Sequence, residues 1–351
     1  MIKTELLKIG DLEGDLEKIK RAASLIRQGQ VVAFPTETVY GLGANALDPG
    51  AVDKIFKAKG RPADNPLIVH IDNIDSWSML VETIPDQALD LAEAFWPGPL
   101  TIILKKKDLV SDKVTAGLDT VAVRMPSHPV ARKLIELSAC PIAAPSANLS
   151  GKPSPTKALH VMEDMQGRIP MILDGGDANV GLESTVLDLT FDLPIILRPG
   201  GVTREMLELV LGEVLLDPSV FSSLEEGQKP RSPGSKYKHY APKAQVTIYK
   251  GRQDRLIAGI SKEAQRLIQA GQRVGILTTD ENMASYKDGI IRSMGSRQRP
   301  EDLARVLFSL LREFDDLGVD HILAEGVDTK NEGLAVMNRL ARAAGFSIVD
   351  L

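Results

Sequence analysis

Between residues 217 and 244 the chain changes character, and that change limits what it can fold into more than any other feature of the sequence. Asp217-Pro218, Ser222-Ser223 and Glu225-Glu226-Gly227 lead into the tract Pro230-Arg231-Ser232-Pro233-Gly234-Ser235-Lys236-Tyr237-Lys238-His239-Tyr240-Ala241-Pro242. Proline, glycine and polar side chains at this density mark a linker. At 351 residues the chain is also longer than a single hydrophobic core usually grows. Two domains are expected, residues 1–216 and 245–351, joined by a linker over 217–244.

The two flanking stretches are patterned differently. In the first, Leu16, Ile19, Ala22, Ala23 and Ile26 recur at helical spacing and stop at Gly29, a natural C-cap. The β-rich run Val31 to Phe34 follows and delivers Pro35-Thr36-Glu37-Thr38 at its end. Helix-like segments recur at 51–59, 87–95 and 130–138, and extended runs at 67–71, 100–105, 120–125, 141–144, 171–173, 184–189 and 195–198. That is more strand than a βα alternation supplies, so the N-terminal domain is expected to be α/β with a mixed, twisted sheet and helices around a ligand groove. After the linker, strand-like runs at 246–249, 274–277 and 321–324 alternate with helical stretches at 255–270, 302–317 and 333–344. This pattern predicts a smaller, Rossmann-like parallel α/β domain.

Composition narrows the function classes. A formal charge of −5 carries no global basic field, so any RNA contact is expected to be local and weak. The single cysteine, Cys140, excludes a disulfide framework and a multi-cysteine zinc site. The opening MIKTELLKIGDLEGDLEKIK is charged throughout, and no apolar run approaches a membrane span, so a cytoplasmic protein without a membrane anchor is expected.

Four constellations could carry chemistry. Lys59, Arg61, Asn65 and His70 lie in KAKGRPADNPLIVHI, where a helix ends and a strand begins. Cations at such a turn can hold phosphate oxygens, Arg as a planar fork and Lys as a point charge; alternatively, Lys57 and Lys59 merely complement a helix C-terminus and face water. Ala144-Pro145-Ser146-Ala147-Asn148 offers a close backbone approach and short directed hydrogen bonds, or is an ordinary Ser/Asn turn. Thr120 and Arg124 share one face of a strand, with Ser184 and Arg198 further along. An Arg on that face needs an anion, either a ligand or a buried carboxylate such as Glu183, while Ser184 and Thr185 could be local caps. In Pro35 to Asn45, Gly41 and Gly43 lack the third glycine of a dinucleotide fingerprint, and no P-loop occurs anywhere. Thr38 could bind an amino-acid substrate, or the segment is a strand-end turn with Tyr40 in the core. His70 could act as a base or be a satisfied structural histidine.

Taken together, these residues resemble the YrdC-like family, whose Lys-x-Arg and Ser-x-Asn pairs correspond to Lys59-x-Arg61 and Ser146-x-Asn148. The runs PTETVYGLG and NPLIVHI match as well, and SPGSKYKHYAP with AVMNRLARAA resembles the longer, two-domain form of the threonylcarbamoyl-AMP synthases. The resemblance covers essentially the whole chain. It implies that Thr38, His70, Arg124, Ala144 and Ser184 surround L-threonine. It implies equally that Arg61, Asn65, Thr120, Ser146, Ser154 and Arg198, with Gly234 and Tyr237 of the linker, hold ATP. Lys59 and Arg61 would carry the catalytic positive charge, and Mg²⁺ would accompany the nucleotide. The implied reaction joins L-threonine, bicarbonate or CO₂ and ATP into threonylcarbamoyl-AMP and pyrophosphate, for transfer to tRNA by separate threonylcarbamoyl-transfer machinery. An RNA-binding module without catalysis fits the acidic balance and sparse aromatics poorly. A hydrogenase-maturation carbamoyl-transfer protein would need the zinc-finger cysteines that this chain lacks.

Overall fold

The computed structural model describes residues 2–222, 230–233 and 240–351. The chain forms two compact units, one of residues 1–150 with 154–236, the other of residues 151–153 with 237–351. The loop 151–153 is thus grouped with the second unit, a feature that the sequence pattern does not signal.

Unit 1 is built on strands β1 (Glu5–Lys8), β2 (Val32–Phe34), β3 (Gly41–Asn45), β4 (Ile68–His70), β5 (Leu100–Lys105), β6 (Thr120–Arg124), β7 (Ile142–Ala144), β8 (Met171–Asp174), β9 (Thr185–Asp188), β10 (Ile195–Arg198) and β11 (Leu215–Leu216). They form one sheet in the order β1-β8-β2-β3-β7-β4-β6-β5-β9-β10-β11. Parallel pairs such as β4 with β6 alternate with antiparallel pairs such as β5 with β6, the mixed sheet expected from the excess of strand. The strand-rich runs of the sequence all became strands. Gly41–Asn45, the end of the run for which a strand-end turn was one of two readings, forms a strand too. Its glycines are explained by packing: a Cβ on Gly43 would lie 2.6 Å from Ile142 Cγ2 and 2.7 Å from Phe34 Cε1. Only a bare backbone lets β3 pass beneath the Phe34 ring.

The helices are tied down by local signals. Pro49–Lys59 starts with Asp48 accepting from the N–H groups of Gly50 and Ala51, carries Pro at N1, and stops at Gly60 in the left-handed region at φ 62°. This helix, with Ile74–Ser78, Asp86–Phe95, Ala158–Met165 and Arg204–Leu211, contributes to the largest core, which includes Val69, Val123, Ile102 and Leu187 from one sheet face. Leu16–Arg27 and Pro129–Ser138 pack on β2, β7 and β8 through Ile19, Ile26, Leu134, Phe34 and Ile142. The stretch over β4, β6, β5, β9 and β10 gathers an apolar cluster of strand residues alone: Ile68, Ile103, Ala122, Val186 and Leu197. It is the floor on which the polar site is laid.

Unit 2 contains β12 (Gln245–Lys250), β13 (Val274–Thr278), β14 (Ile290–Ser293), β15 (His321–Glu325) and β16 (Ile348–Asp350) in the order β14-β13-β15-β12-β16. Every pair is parallel, as the alternation of strand and helix predicted. The helices Gln253–Gln269, Pro300–Asp316 and Glu332–Ala343 link the strands. At the ends of β13 and β15 the buried Glu325 carboxylate accepts from Thr278 Oγ1, Asn282 Nδ2, Tyr286 Oη and Arg297 Nη2. Its own protein fills its hydrogen-bonding capacity. Among the described residues no helix is long and apolar enough to cross a membrane.

Candidate functional site

Sheet register decides which side chains meet. In β4 and β6, His70 pairs with Arg124 and Ile68 with Ala122, while β7 sets Ala144 against Ile68. Paired residues on neighbouring strands share a face. Hence His70, Arg124 and Ala144 stand on the face whose apolar floor is Ile68 and Ala122. In β5, Thr101 pairs with Val186 of β9, which places Ser184 one step before the same row. A register shift between Ile196 and Arg198 brings Arg198 opposite Val186. His70, Arg124, Thr101, Ser184 and Arg198 therefore line one end of adjacent strands. Thr120, half-buried and paired with Lys105, marks the other end of β6 on the same face.

Arg124 is the centre of the amino-acid end. It is 3% exposed; Nε donates to the Gly98 carbonyl at 3.1 Å and Nη1 to Thr38 Oγ1 at 2.9 Å. Thr38 is held in turn by Thr36, the hydroxyl oxygens lying 2.8 Å apart. The carboxylate beside Arg124 is Glu37, with Oε1 at 2.6 Å from Nη2. The sequence had offered Glu183 as the protein partner. Glu183 instead accepts from Ser154 Oγ, because the strand-end position of Glu37 places it directly beside the guanidinium. Burial is the largest single influence on the Glu37 carboxyl and would raise it, but the charge and close contact of Arg124, with backbone N–H groups including that of Ser127, together outweigh it and hold it below the ordinary carboxylate range.

Three polar groups here lack well-aligned hydrogen bonds: the Glu37 carboxylate oxygens, His70 Nδ1 and Arg124 Nη2. The close approach of Glu37 and Arg124 is thus an ion pair whose N–H vectors miss the oxygens. Burial pushes the His70 pKa down to about 3, with the Arg124 charge acting in the same direction. His70 is neutral at physiological pH and poorly suited to act as a base. Its ring stands edge-on to Phe34 at 6.1 Å between centroids.

The cationic end joins two motifs far apart in the chain. Lys59 Nζ donates to the carbonyl of Asn148 at 2.7 Å, to Asn148 Oδ1 at 3.4 Å and to the Ser146 carbonyl. Ser146 Oγ donates to Asn148 Oδ1. Lys59 is 3% exposed, so the reading of a solvated helix-end lysine fails for it and holds for the exposed Lys57. Arg61 stacks over Phe56 at 6.0 Å. With the Asn65 amide turned to satisfy both ends, its oxygen accepts from Arg61 Nη2 and its nitrogen donates to the Ser232 carbonyl, each at 3.2 Å. Arg198 donates from Nε to the Ser184 carbonyl and from Nη2 to Ser184 Oγ, each at 3.1 Å, and from Nη1 to the Pro233 carbonyl at 3.3 Å. Residues 232–233 are therefore tied to two of the expected nucleotide-binding residues. Ser184 also shares a hydrogen bond with Thr101, 2.8 Å between hydroxyl oxygens, and is no local cap. Gly234 and Tyr237 lie outside the described residues.

Glu37 and Thr101 were missed by sequence reasoning. A carboxylate in the hydroxyl-rich PTETV run at a strand end was the available signal for Glu37; for Thr101 it was the lone hydroxyl of LTIIL. Among the described residues, no group of three or more His, Cys, Asp or Glu side chains is arranged to hold a metal ion.

Residues 24–200 match a family model described as telomere recombination, and residues 202–345 one described as the threonylcarbamoyl-AMP synthase C-terminal domain. A threonylcarbamoyl-AMP synthase of Pyrococcus abyssi is 52% identical over 95% of this chain and 96% of its own length. One of Bacillus subtilis is 51% identical over 95% and 94%. The crystal structure of P. abyssi Sua5 complexed with L-threonine superimposes with a TM-score of 0.93 at 50% identity, covering 99% of each chain.

Proposed function

This chain belongs to the threonylcarbamoyl-AMP synthase family, and from that premise we propose how unit 1 carries out the synthesis. The activity of the chain is that of its relatives, formation of threonylcarbamoyl-AMP. L-Threonine occupies the end of the groove formed by Thr38, His70, Arg124, Ala144 and Ser184. The observation that carries this reading is the set of buried groups without aligned hydrogen bonds, Glu37, His70 Nδ1 and Arg124 Nη2. Burying such groups costs about 1–3 kcal/mol each unless a partner arrives. A zwitterion supplies both the acceptors that Arg124 lacks and the donors that Glu37 and His70 Nδ1 lack. The relative crystallised with L-threonine makes that amino acid the natural candidate.

ATP lies toward Arg61, Asn65, Thr120, Ser146, Ser154 and Arg198, with the Lys59 charge beside the Ser146–Asn148 turn. The threonine ammonium gives up a proton to solvent, and the neutral amine adds to CO₂ with loss of a second proton, or to bicarbonate with loss of water, to give a carbamate. A carbamate oxygen attacks the α-phosphorus of ATP and displaces pyrophosphate. Every stage concentrates negative charge, so Lys59, Arg61 and Arg198 lower the barrier by fixed electrostatics and Arg124 by holding the carboxylate in register. No protein nucleophile is needed. Mg²⁺ accompanying the nucleotide would add positive charge at its phosphates. The product passes in the cytoplasm to the machinery that transfers the threonylcarbamoyl group to tRNA.

The test is incubation of the purified chain with ATP, Mg²⁺, labelled bicarbonate and either L-threonine or L-serine, followed by mass spectrometry of the adenylate. Label in a threonine-dependent adenylate, with pyrophosphate released, is the expected result. ATP binding without any turnover would refute the assignment.

A further inference from the structure

Glu37 enters the reading above only as one of several buried polar groups, yet its position is costly. It is 6% exposed, its Oε1 lies 2.6 Å from Arg124 Nη2, the backbone N–H of Ser127 faces its carboxylate, and neither oxygen makes an aligned hydrogen bond. A carboxylate kept in the interior only to steady an arginine would be expected to meet it fork to fork. Here the contact is close and oblique, which leaves lone pairs of Glu37 and an N–H of Arg124 directed elsewhere.

We propose that Glu37 is the counter-ion of the α-ammonium group of L-threonine, and that it makes the pocket select an amino-acid zwitterion over a 2-hydroxy acid of the same shape. The proposal rests on the reading of this pocket as the threonine site. Charge and hydrogen-bond capacity both support it. Arg124 contributes one positive charge, Glu37 one negative, and His70 none, because burial keeps its ring neutral. A zwitterion adds no net charge to the Arg124–Glu37 pair, whereas a ligand bearing only a carboxylate sets a second anion beside Arg124 with no cation to match it. An ammonium group also needs acceptors. Ser184 Oγ is shared between Thr101 and Arg198, and Thr38 Oγ1 between Thr36 and Arg124. The acceptors still lacking an aligned partner are the Glu37 oxygens and His70 Nδ1. Backbone carbonyls of Ile142 and Ile68 lie beside the His70 ring, and in the Nε2–H tautomer of the neutral ring Nδ1 is a lone-pair acceptor. Arg124 then takes the carboxylate while Glu37 and His70 take the ammonium, one group for each end of the α-carbon.

The experiment measures affinity by isothermal titration of the full chain, for L-threonine and for the 2,3-dihydroxybutanoate of matching configuration, in which a hydroxyl replaces the ammonium. Glu37→Gln is expected to weaken L-threonine binding by roughly ten- to a hundredfold, the loss typical of a charge-assisted hydrogen bond, and to leave the hydroxy acid unchanged or bound more tightly. Glu37→Asp, which keeps the charge, is expected to retain the preference for the amino acid. Equal loss of both ligands in the glutamine variant, no change in either, or an aspartate variant without preference would overturn the proposal. Arg124→Lys separates this from the reading beneath it. If it weakens both ligands while Glu37→Gln treats them alike, the pocket stands and the role of Glu37 falls. If it leaves L-threonine binding untouched, the pocket itself has been misread.

Discussion

Arg124→Gln should destabilise unit 1 through the charge that it leaves behind. The Arg124 and Glu37 side chains are 3% and 8% exposed and approach to 2.6 Å, so the figure for a buried pair applies, about 3–5 kcal/mol, and not the fraction of a kcal/mol typical of surface pairs. The double variant Glu37→Gln/Arg124→Gln, with no buried charge left, should recover most of that loss. Both tryptophans of the chain, Trp77 and Trp96, lie in unit 1 with ring centroids 4.6 Å apart. Urea unfolding followed by tryptophan fluorescence therefore reports this unit separately. The pH dependence has a definite sign. In the wild type the Glu37 pKa is held below its unfolded value of 4.5, so its contribution is present above pH 4.5 and lost as pH falls through the folded value. Without Arg124, burial dominates and raises the folded pKa, so the single variant should gain stability relative to wild type as pH falls from neutral toward 5. A single variant as stable as wild type at pH 7, or a double variant no better than the single, would refute the reasoning.

Other consequences follow from the same geometry. Lys59→Met should lower adenylate formation by about a hundred- to a thousandfold, the cost of removing a charged donor from a site that stabilises developing negative charge, with circular dichroism unchanged. His70, whose pKa is pushed down to about 3, should show no titration between pH 5 and 8 by NMR of its ring, and the pH–rate profile should lack any inflection from it. Gly43→Ala should cost about 1–3 kcal/mol in the fluorescence-detected unfolding of unit 1, because its Cβ would stand 2.6 Å from Ile142 and 2.7 Å from Phe34.

Much of the architecture was legible because hydrophobic period and punctuation agree. The helix over Leu16–Arg27 buries Ile19, Ala22, Ala23 and Ile26 of the residues that its spacing singled out, leaving Leu16 half-buried, and the helix ending at Gly60 carries its stop signal in the sequence. Strands whose identity depends on neighbours were harder. Gly41–Asn45 has poor intrinsic strand character and exists because β2 and β7 pair with it on either side. The short edge strands Glu5–Lys8 and Ile348–Asp350 and the helix Ala158–Met165 passed unread, their local patterns being too short to register.

At the site, the residues that could be named were those in compact local motifs, such as Lys59-x-Arg61 and Ser146-x-Asn148. What the motifs could not say is that Lys59 braces the second pair through its carbonyls. Glu37 was invisible for a related reason. Its meaning lies in a guanidinium from a strand far along the chain, and a lone Glu beside threonines reads as solvated until Arg124 is placed next to it. Ser184 looked like a cap until Thr101 and Arg198 were brought to it by three adjacent strands.

The most direct test of the central claim is a crystal structure of this chain with L-threonine. The account predicts the carboxylate against Arg124 Nη2 and Thr38, with the ammonium between Glu37 and His70 Nδ1. Threonine bound elsewhere, or bound here with its carboxylate turned away from Arg124, would contradict it.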